Sequence, residues 1–275
     1  MGVKYMWIKD IFRVEKPVIA LLHLQALPGD PLYDREGNLK KVIDIANKEL
    51  KDLQDGGVDG ILFANEFSLP YQKKVSHVTT AAMGYIIGQL RKKIKVPFGV
   101  NVVLNPMASI ELAAATGAHF VRSAFTGAYI GESGIINTDV AACVRRKIEL
   151  GITSLKMFYK VNPESDIYIR ERDIVKVTKS IIFHCFPDGL CVSGESAGSE
   201  TDSEVIMSVK SVSKNIPVFC NTGCNAENIV SKLKTADGAF VGTYFKSDGK
   251  FDNNVDLQRV KEFMAKVQKF RDILS

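Results

Sequence analysis

The chain has little of what most specialised protein classes require. No apolar run approaches the roughly 20 residues that span a bilayer. The opening Met1-Gly-Val-Lys-Tyr-Met-Trp-Ile-Lys-Asp10 lacks the apolar core of a secretory signal, so a cytoplasmic location without a membrane span is expected. Cysteine is scarce and odd in number: Cys143, Cys185, Cys191, Cys220 and Cys224, with no Cys-x-x-Cys pair. With only four histidines as well, no disulfide framework or zinc-ligand spacing is present. Charge of one sign is also missing, because 36 basic against 31 acidic residues leave a net +5. The basic clusters Arg91-Lys-Lys93 and Arg145-Arg-Lys147 fall on expected outer helices, where they read as solvated faces, and no nucleic-acid partner is expected.

What the chain has in quantity is short apolar runs. It is 46% hydrophobic and 24% charged over 275 residues, a balance that suits an ordered globular protein. Runs rich in β-branched residues occur at 18–24, 59–64, 97–104, 119–124, 153–158, 190–193, 217–221 and 239–243. Near-continuous hydrophobicity of this kind marks strands buried on both faces. Between them lie stretches with helical spacing and marked ends. One covers 39–53 and stops at Gly56-Gly57; another is capped by Asn105-Pro106 and closed by Gly117. Thr201-Asp-Ser-Glu204 reads as a capping box, Asn225 as a cap for a helix to about 234, and 255–273 as a final amphipathic helix. Eight strand–helix units of about 34 residues each predict a single α/β domain, 1–275, folded as a closed (β/α)8 TIM barrel. Residues 1–16 are expected to close the barrel bottom as a short helix. A doubly wound open sheet fits less well, since the first run leads into His23-Leu-Gln-Ala-Leu-Pro-Gly29 and not GxGxxG.

Barrels of this class carry function at the carboxyl ends of their strands. Those positions supply His23, Asn65, Glu66, Asn101, Asn105, Arg122, Lys156, Lys160, Ser193, Glu195, Asn221, Thr222 and Thr243. Each could be a satisfied polar cap over the core, but so many on one rim favour a ligand-facing set. Side-chain alternation places His23, Asn65, Asn101, Arg122 and Ser193 inward and Glu66 outward. His23 titrates nearest neutrality and suits acid/base work, with Glu66 and Lys156 polarising or shuttling. Lys156, read as lying midway along the fifth strand, fits either a desolvated amine or an ion-pair partner for Glu66 or Glu195. Arg122, Asn101, Asn65, Ser193, Glu195 and Asn221 would orient the substrate. A phosphate would rest on the backbone of Thr222, Gly223, Gly242 and Thr243, in the loops after strands seven and eight. The loop Asn65-Glu-Phe-Ser-Leu-Pro-Tyr-Gln-Lys-Lys-Val75 reads as a lid or an oligomer contact. No cofactor is expected; a divalent metal through Glu66 and Asn101 is disfavoured by the shortage of carboxylates.

Several motifs carry a family resemblance. His23-Leu-Gln-Ala-Leu-Pro-Gly-Asp-Pro31 resembles the opening signature of the BtpA family. Gly99-Val-Asn101, Ala115-Thr-Gly-Ala118, Val192-Ser-Gly194, Asp237-Gly-Ala-Phe-Val-Gly-Thr243 and Val255-Asp-Leu-Gln-Arg-Val260 fit it too, over nearly the whole chain. Ala64-Asn-Glu-Phe-Ser-Leu-Pro-Tyr71, Phe125-Thr-Gly-Ala128 and Cys220-Asn-Thr-Gly223 resemble its SgcQ branch, which is found with sugar-uptake genes. The resemblance implies a TIM-barrel enzyme group, named for a member linked to photosystem I biogenesis. A nucleoside-triphosphatase activity has also been attached to the family, yet no GxxxxGK[ST] occurs here. The chain departs from the commoner pattern at Pro106, Ala197 and Asn221-Thr222, where an acidic residue, a threonine and Gly-Ser are usual; these changes alter the pocket and argue against a photosynthetic role.

Together these readings predict an enzyme acting on a small phosphorylated metabolite, a sugar phosphate, by isomerase, epimerase or lyase chemistry, in a homo-oligomer. The alternative is a non-catalytic assembly factor that uses the barrel as a scaffold.

Overall fold

Strands that are apolar on both faces need cover on both sides, and closing the sheet provides it. The computed structural model describes residues 6–196 and 198–274. Its strands are β1 (Val18–His23), β2 (Gly60–Ala64), β3 (Phe98–Asn101), β4 (Phe120–Ser123), β5 (Ala128–Gly131), β6 (Gly134–Asn137), β7 (Lys156–Lys160), β8 (Ile167–Tyr168), β9 (Gly189–Val192), β10 (Val218–Cys220) and β11 (Gly238–Val241). Eight of them form a closed parallel barrel in the order β1-β2-β3-β4-β7-β9-β10-β11, and β11 returns to β1 through Val18 opposite Ala239. The remaining three, β5, β6 and β8, form a small antiparallel sheet in the loops after β4 and β7.

The helices are α1 (Met6–Phe12), α2 (Asn38–Asp55), α3 (His77–Leu90), α4 (Pro106–Thr116), α5 (Val140–Glu149), α6 (Ile174–Cys185), α7 (Ser203–Ser213), α8 (Ile229–Thr235) and α9 (Leu257–Leu274). Their ends follow local chemistry. Asn105 Oδ1 accepts from Ala108 N at 3.0 Å, and Gly117 closes α4 in the left-handed region at φ 70°. Asp202 caps α7 by accepting from Glu204 N, which corrects the expected Thr201 cap. The Thr201 hydroxyl is instead buried against Val192 O and Thr222 O. No helix among the described residues is long and apolar enough to cross a membrane.

Alternation sends one side chain set to the helices and the other into the lumen. Val18, Ala20 and Leu22 pack outward, while Ile19 joins Leu62, Phe120, Phe158, Cys191, Phe219 and Phe240 inside. The phenylalanines meet edge to face, with Phe158 and Phe219 at 4.9 Å and Phe158 and Phe240 at 5.4 Å. Facing positions are glycine where a ring must fit: a Cβ on Gly238 would lie 2.3 Å from the Phe219 ring. Helix α1 covers the amino end of the barrel, with Phe12 against Phe120 and Trp7 against Phe158, both at 5.6 Å. Residues 1–5 of the expected closing segment lie outside the described residues.

Candidate active site at the carboxyl end of the barrel

Above the phenylalanine layer the lumen opens into a cleft of about 690 Å³, lined by residues from the carboxyl ends of the strands and the loops after them. His23, Glu66, Asn101, Arg122, Asn221, Thr222, Gly223, Gly242 and Thr243 all line it. Arg122 is the structural centre. Its guanidinium lies over the Phe240 ring at 5.2 Å, Nη1 donates to Asn221 Oδ1 at 2.9 Å, and Nη2 stands 3.9 Å from Glu66 Oε1. Its Nε makes no hydrogen bond among the described residues, although it is buried.

His23 ends β1 with both ring nitrogens buried and without a hydrogen-bond partner among the described residues. The ring rests against Phe251 at 5.3 Å, and the absent Cβ of Gly242 leaves room at its other edge, 3.0 Å from Nε2. Burial, followed by the positive charges of Lys246 and Arg122, holds the imidazole well below its ordinary 6.5. His23 is therefore neutral at pH 7, with one N–H donor and one lone pair that meet no hydrogen-bond partner among the described residues.

Four residues that the sequence reading undervalued complete the cluster. Glu164, in the loop after β7, was not singled out. Its Oε1 accepts from Asn221 Nδ2 at 2.6 Å and from Ser193 Oγ at 3.2 Å, and its Oε2 pairs with Lys160 Nζ at 2.5 Å. Burial works to raise its pKa, but the Lys160 and Arg122 charges overcome this and hold the carboxyl below the usual range. Tyr71 donates to Glu66 Oε2 at 2.9 Å and is kept protonated by burial and by the Glu66 charge. Phe251 packs between His23 and Phe67, and Lys246 lies 5.0 Å from the Phe67 ring. The expected lid loop thus folds inward, with Phe67 buried and Tyr71 on Glu66.

Four expected positions need correction. Lys156 opens β7 at the amino end of the barrel, beside Asp188 Oδ1 at 3.4 Å and over the Trp7 ring at 5.4 Å; it is an ion-pair residue away from the cleft. Its misplacement follows from reading the fifth strand as 153–158 when it runs Lys156–Lys160. Asn65 does not face the cleft either: Oδ1 accepts from Val103 N at 2.8 Å and ties two loops together. Leu62, and not Ile61 or Phe63, is the lumen residue of β2, and the same alternation carries Glu66 inward. Glu195 is exposed and outside the cleft lining, so Glu164 occupies the acidic position expected of it. Ala197, in the loop after β9, lies outside the described residues.

The loops after β10 and β11 present backbone donors. The N–H groups of Gly223, Cys224, Thr243 and Tyr244 make no hydrogen bond among the described residues, and all four residues line the cleft. Asn225 caps the following turn, its Oδ1 accepting from Glu227 N and Asn228 N. The Thr222 hydroxyl is already engaged by Gly194 N at 2.6 Å, and its carbonyl accepts from the Thr201 hydroxyl at 3.0 Å. Among the described residues no three His, Cys, Asp or Glu side chains converge as a metal cage.

The profile of the BtpA family matches residues 14–269. The chain belongs to the BtpA family. Among BtpA family relatives it is 47% identical over 265 residues to the sgc region protein SgcQ of Escherichia coli (strain K12), covering 96% of this chain and 99% of that one. It is 29% identical to the photosystem I biogenesis protein BtpA of Synechocystis sp., over 92% of this chain and 88% of that one. The solved (S)-3-O-geranylgeranylglyceryl phosphate synthase from Thermoplasma acidophilum, in complex with its substrate sn-glycerol-1-phosphate, superposes with a TM-score of 0.61 at 15% identity. The alignment spans 98% of this BtpA family chain and 99% of the synthase, and it shows a common barrel fold.

Proposed function

We propose that this BtpA family protein is an enzyme acting on a small phosphorylated metabolite, a sugar phosphate, through proton transfer at His23. The observation that carries the reading is His23, buried with both ring nitrogens unpaired among the described residues, in a cleft also lined by four residues whose backbone N–H groups make no hydrogen bond among the described residues. Unpaired buried polar atoms are costly, and a binding site is a common reason for keeping them. The N–H groups of Gly223, Cys224, Thr243 and Tyr244 suit a phosphate at the β10 and β11 loops. The fold neighbour that binds sn-glycerol-1-phosphate supports the same substrate class. At the other side, Arg122, Glu66, Asn101 and Glu164 offer the mixture of donors and acceptors that orients hydroxyl and carbonyl groups. With substrate between them, neutral His23 takes a proton through its lone pair, while Arg122 stabilises the oxygen that gains negative charge.

An open cleft with unpaired polar atoms is the reverse of the sealed, mutually satisfied rim that a scaffold would present. The test is thermal: a panel of sugar phosphates at millimolar concentration raises Tm for the right ligand. In heavy water that ligand gains solvent deuterium with the native protein and gains none with His23→Gln. A flat thermal response across the panel overturns the substrate class, and exchange that survives His23→Gln overturns the role of the histidine.

A further inference from the structure

Two thiols meet beside the anion-facing loop. Cys220 ends β10, and Cys224 lies four residues on; Cys224 Sγ–H donates to Cys220 Sγ at 3.2 Å. Gly223 brings them together, with φ at +68° turning the chain back on itself. A Cβ at that position would lie 2.3 Å from Glu200 Cα, so the turn is packed as well as sharp. Both thiols are buried, but Cys224 also lines the cleft, which gives a small oxidant a path to the pair. The shared hydrogen favours the Cys220 thiolate, the form that reacts with peroxides.

We propose that Cys220 and Cys224 are an oxidative modification site: a hydroperoxide entering through the cleft converts them to a reversible disulfide that reshapes the Asn221-Thr-Gly-Cys loop. In the first step a thiolate sulfur attacks the O–O bond of hydrogen peroxide, forms an S–O bond and releases hydroxide, which takes a proton to become water. The second sulfur then attacks the sulfenic sulfur, forms the S–S bond and expels the remaining oxygen as water. Two thiols and one peroxide thus give one disulfide and two waters, and the two electrons lost by sulfur are taken by the peroxide oxygens. Because a disulfide needs about 2.05 Å between sulfurs, the two sulfurs must approach by about 1.1 Å, a pull that falls on the sharp Gly223 turn between them. That movement shifts the Gly223 and Cys224 N–H groups, and through Asn221 it pulls on Arg122 and Glu164. The predicted loss of anion binding rests on the phosphate reading of the preceding subsection; the disulfide itself does not.

Both cysteines lie on one tryptic peptide, 215–232, so the native protein can be assayed directly. After brief treatment with hydrogen peroxide, that peptide is expected to lose two hydrogen masses, to resist alkylation at both sulfurs, and to recover both properties in dithiothreitol. Peroxide is also expected to abolish the Tm rise given by inorganic phosphate in the reduced protein, and dithiothreitol to restore it. Cys220→Ala, which lies outside the cleft lining, should keep the phosphate response after peroxide. Retention of two alkylatable thiols, or irreversible oxidation of one, overturns the disulfide. A disulfide that leaves the phosphate response intact overturns the coupling. A reduced protein that ignores phosphate overturns the phosphate reading and with it the coupling, leaving the peptide map to judge the disulfide.

Discussion

His23 has an imidazole with no partner for either nitrogen among the described residues, in a site where both nearby charges that shift it, Lys246 and Arg122, are positive. Its folded pKa is lowered, so between that value and 6.5 the unfolded chain binds a proton that the folded chain does not. Stability from this residue is therefore fully present above about pH 6.5 and lost as pH falls below it. The expected outcome is that the urea midpoint of the native protein drops between about pH 7.5 and about pH 5.5 more steeply than that of His23→Gln. Equal slopes would mean that the imidazole is not held neutral. The sequence made His23 legible because it ends a run of five apolar residues, where a titratable group has few other reasons to stand. Glu164 was not legible, because it sits in a polar loop and gains its importance only from Asn221, Ser193 and Lys160, which are distant in the chain or on another element.

Among the elements, the barrel strands declared themselves through unbroken hydrophobicity, and the ends of α4 through Asn105 and Gly117, whereas α8 starts at Ile229 behind Asn228 and Asn225 caps only the turn before it. The fifth strand was displaced because its first and last residues, Lys156 and Lys160, are charged, while β-branched Thr153 and apolar Leu155 just before it mimic a strand start. The β5–β6–β8 sheet escaped notice because its short strands are largely exposed or half-buried and carry no long apolar run. Helix α1 was anticipated, and its contribution follows from what it covers. Phe12 is 4% exposed and plugs the lumen against Phe120, with its ring edge also filling the space left by Gly60. Removing that ring opens a cavity beneath the four packed phenylalanines of the lumen, Phe120, Phe158, Phe219 and Phe240. Phe12→Ala is expected to cost about 3–5 kcal/mol in urea unfolding, with the m-value unchanged. A loss below about 1 kcal/mol would show that the plug is loosely seated.

Across the whole molecule, the two ends of the barrel do different work, and a pair of substitutions separates them. Lys156 stands at the amino end with Asp188 and Trp7, partly exposed, where an ion pair contributes about 0.2–1 kcal/mol. Gly242 stands at the carboxyl end against His23, between the β11 loop and the cleft. Lys156→Met is expected to change the unfolding free energy by less than about 1 kcal/mol and to leave the phosphate-induced Tm rise at its native size. Gly242→Ala should place a methyl group 3.0 Å from His23 Nε2, displace the ring and crowd the backbone donors of Thr243 and Tyr244. Its phosphate-induced rise is expected to fall at least severalfold, with deuterium exchange into substrate lost alongside it. A Lys156→Met protein that loses the phosphate response would place function at the wrong end of this barrel, and a Gly242→Ala protein that keeps both readouts would move the anion seat away from the β11 loop.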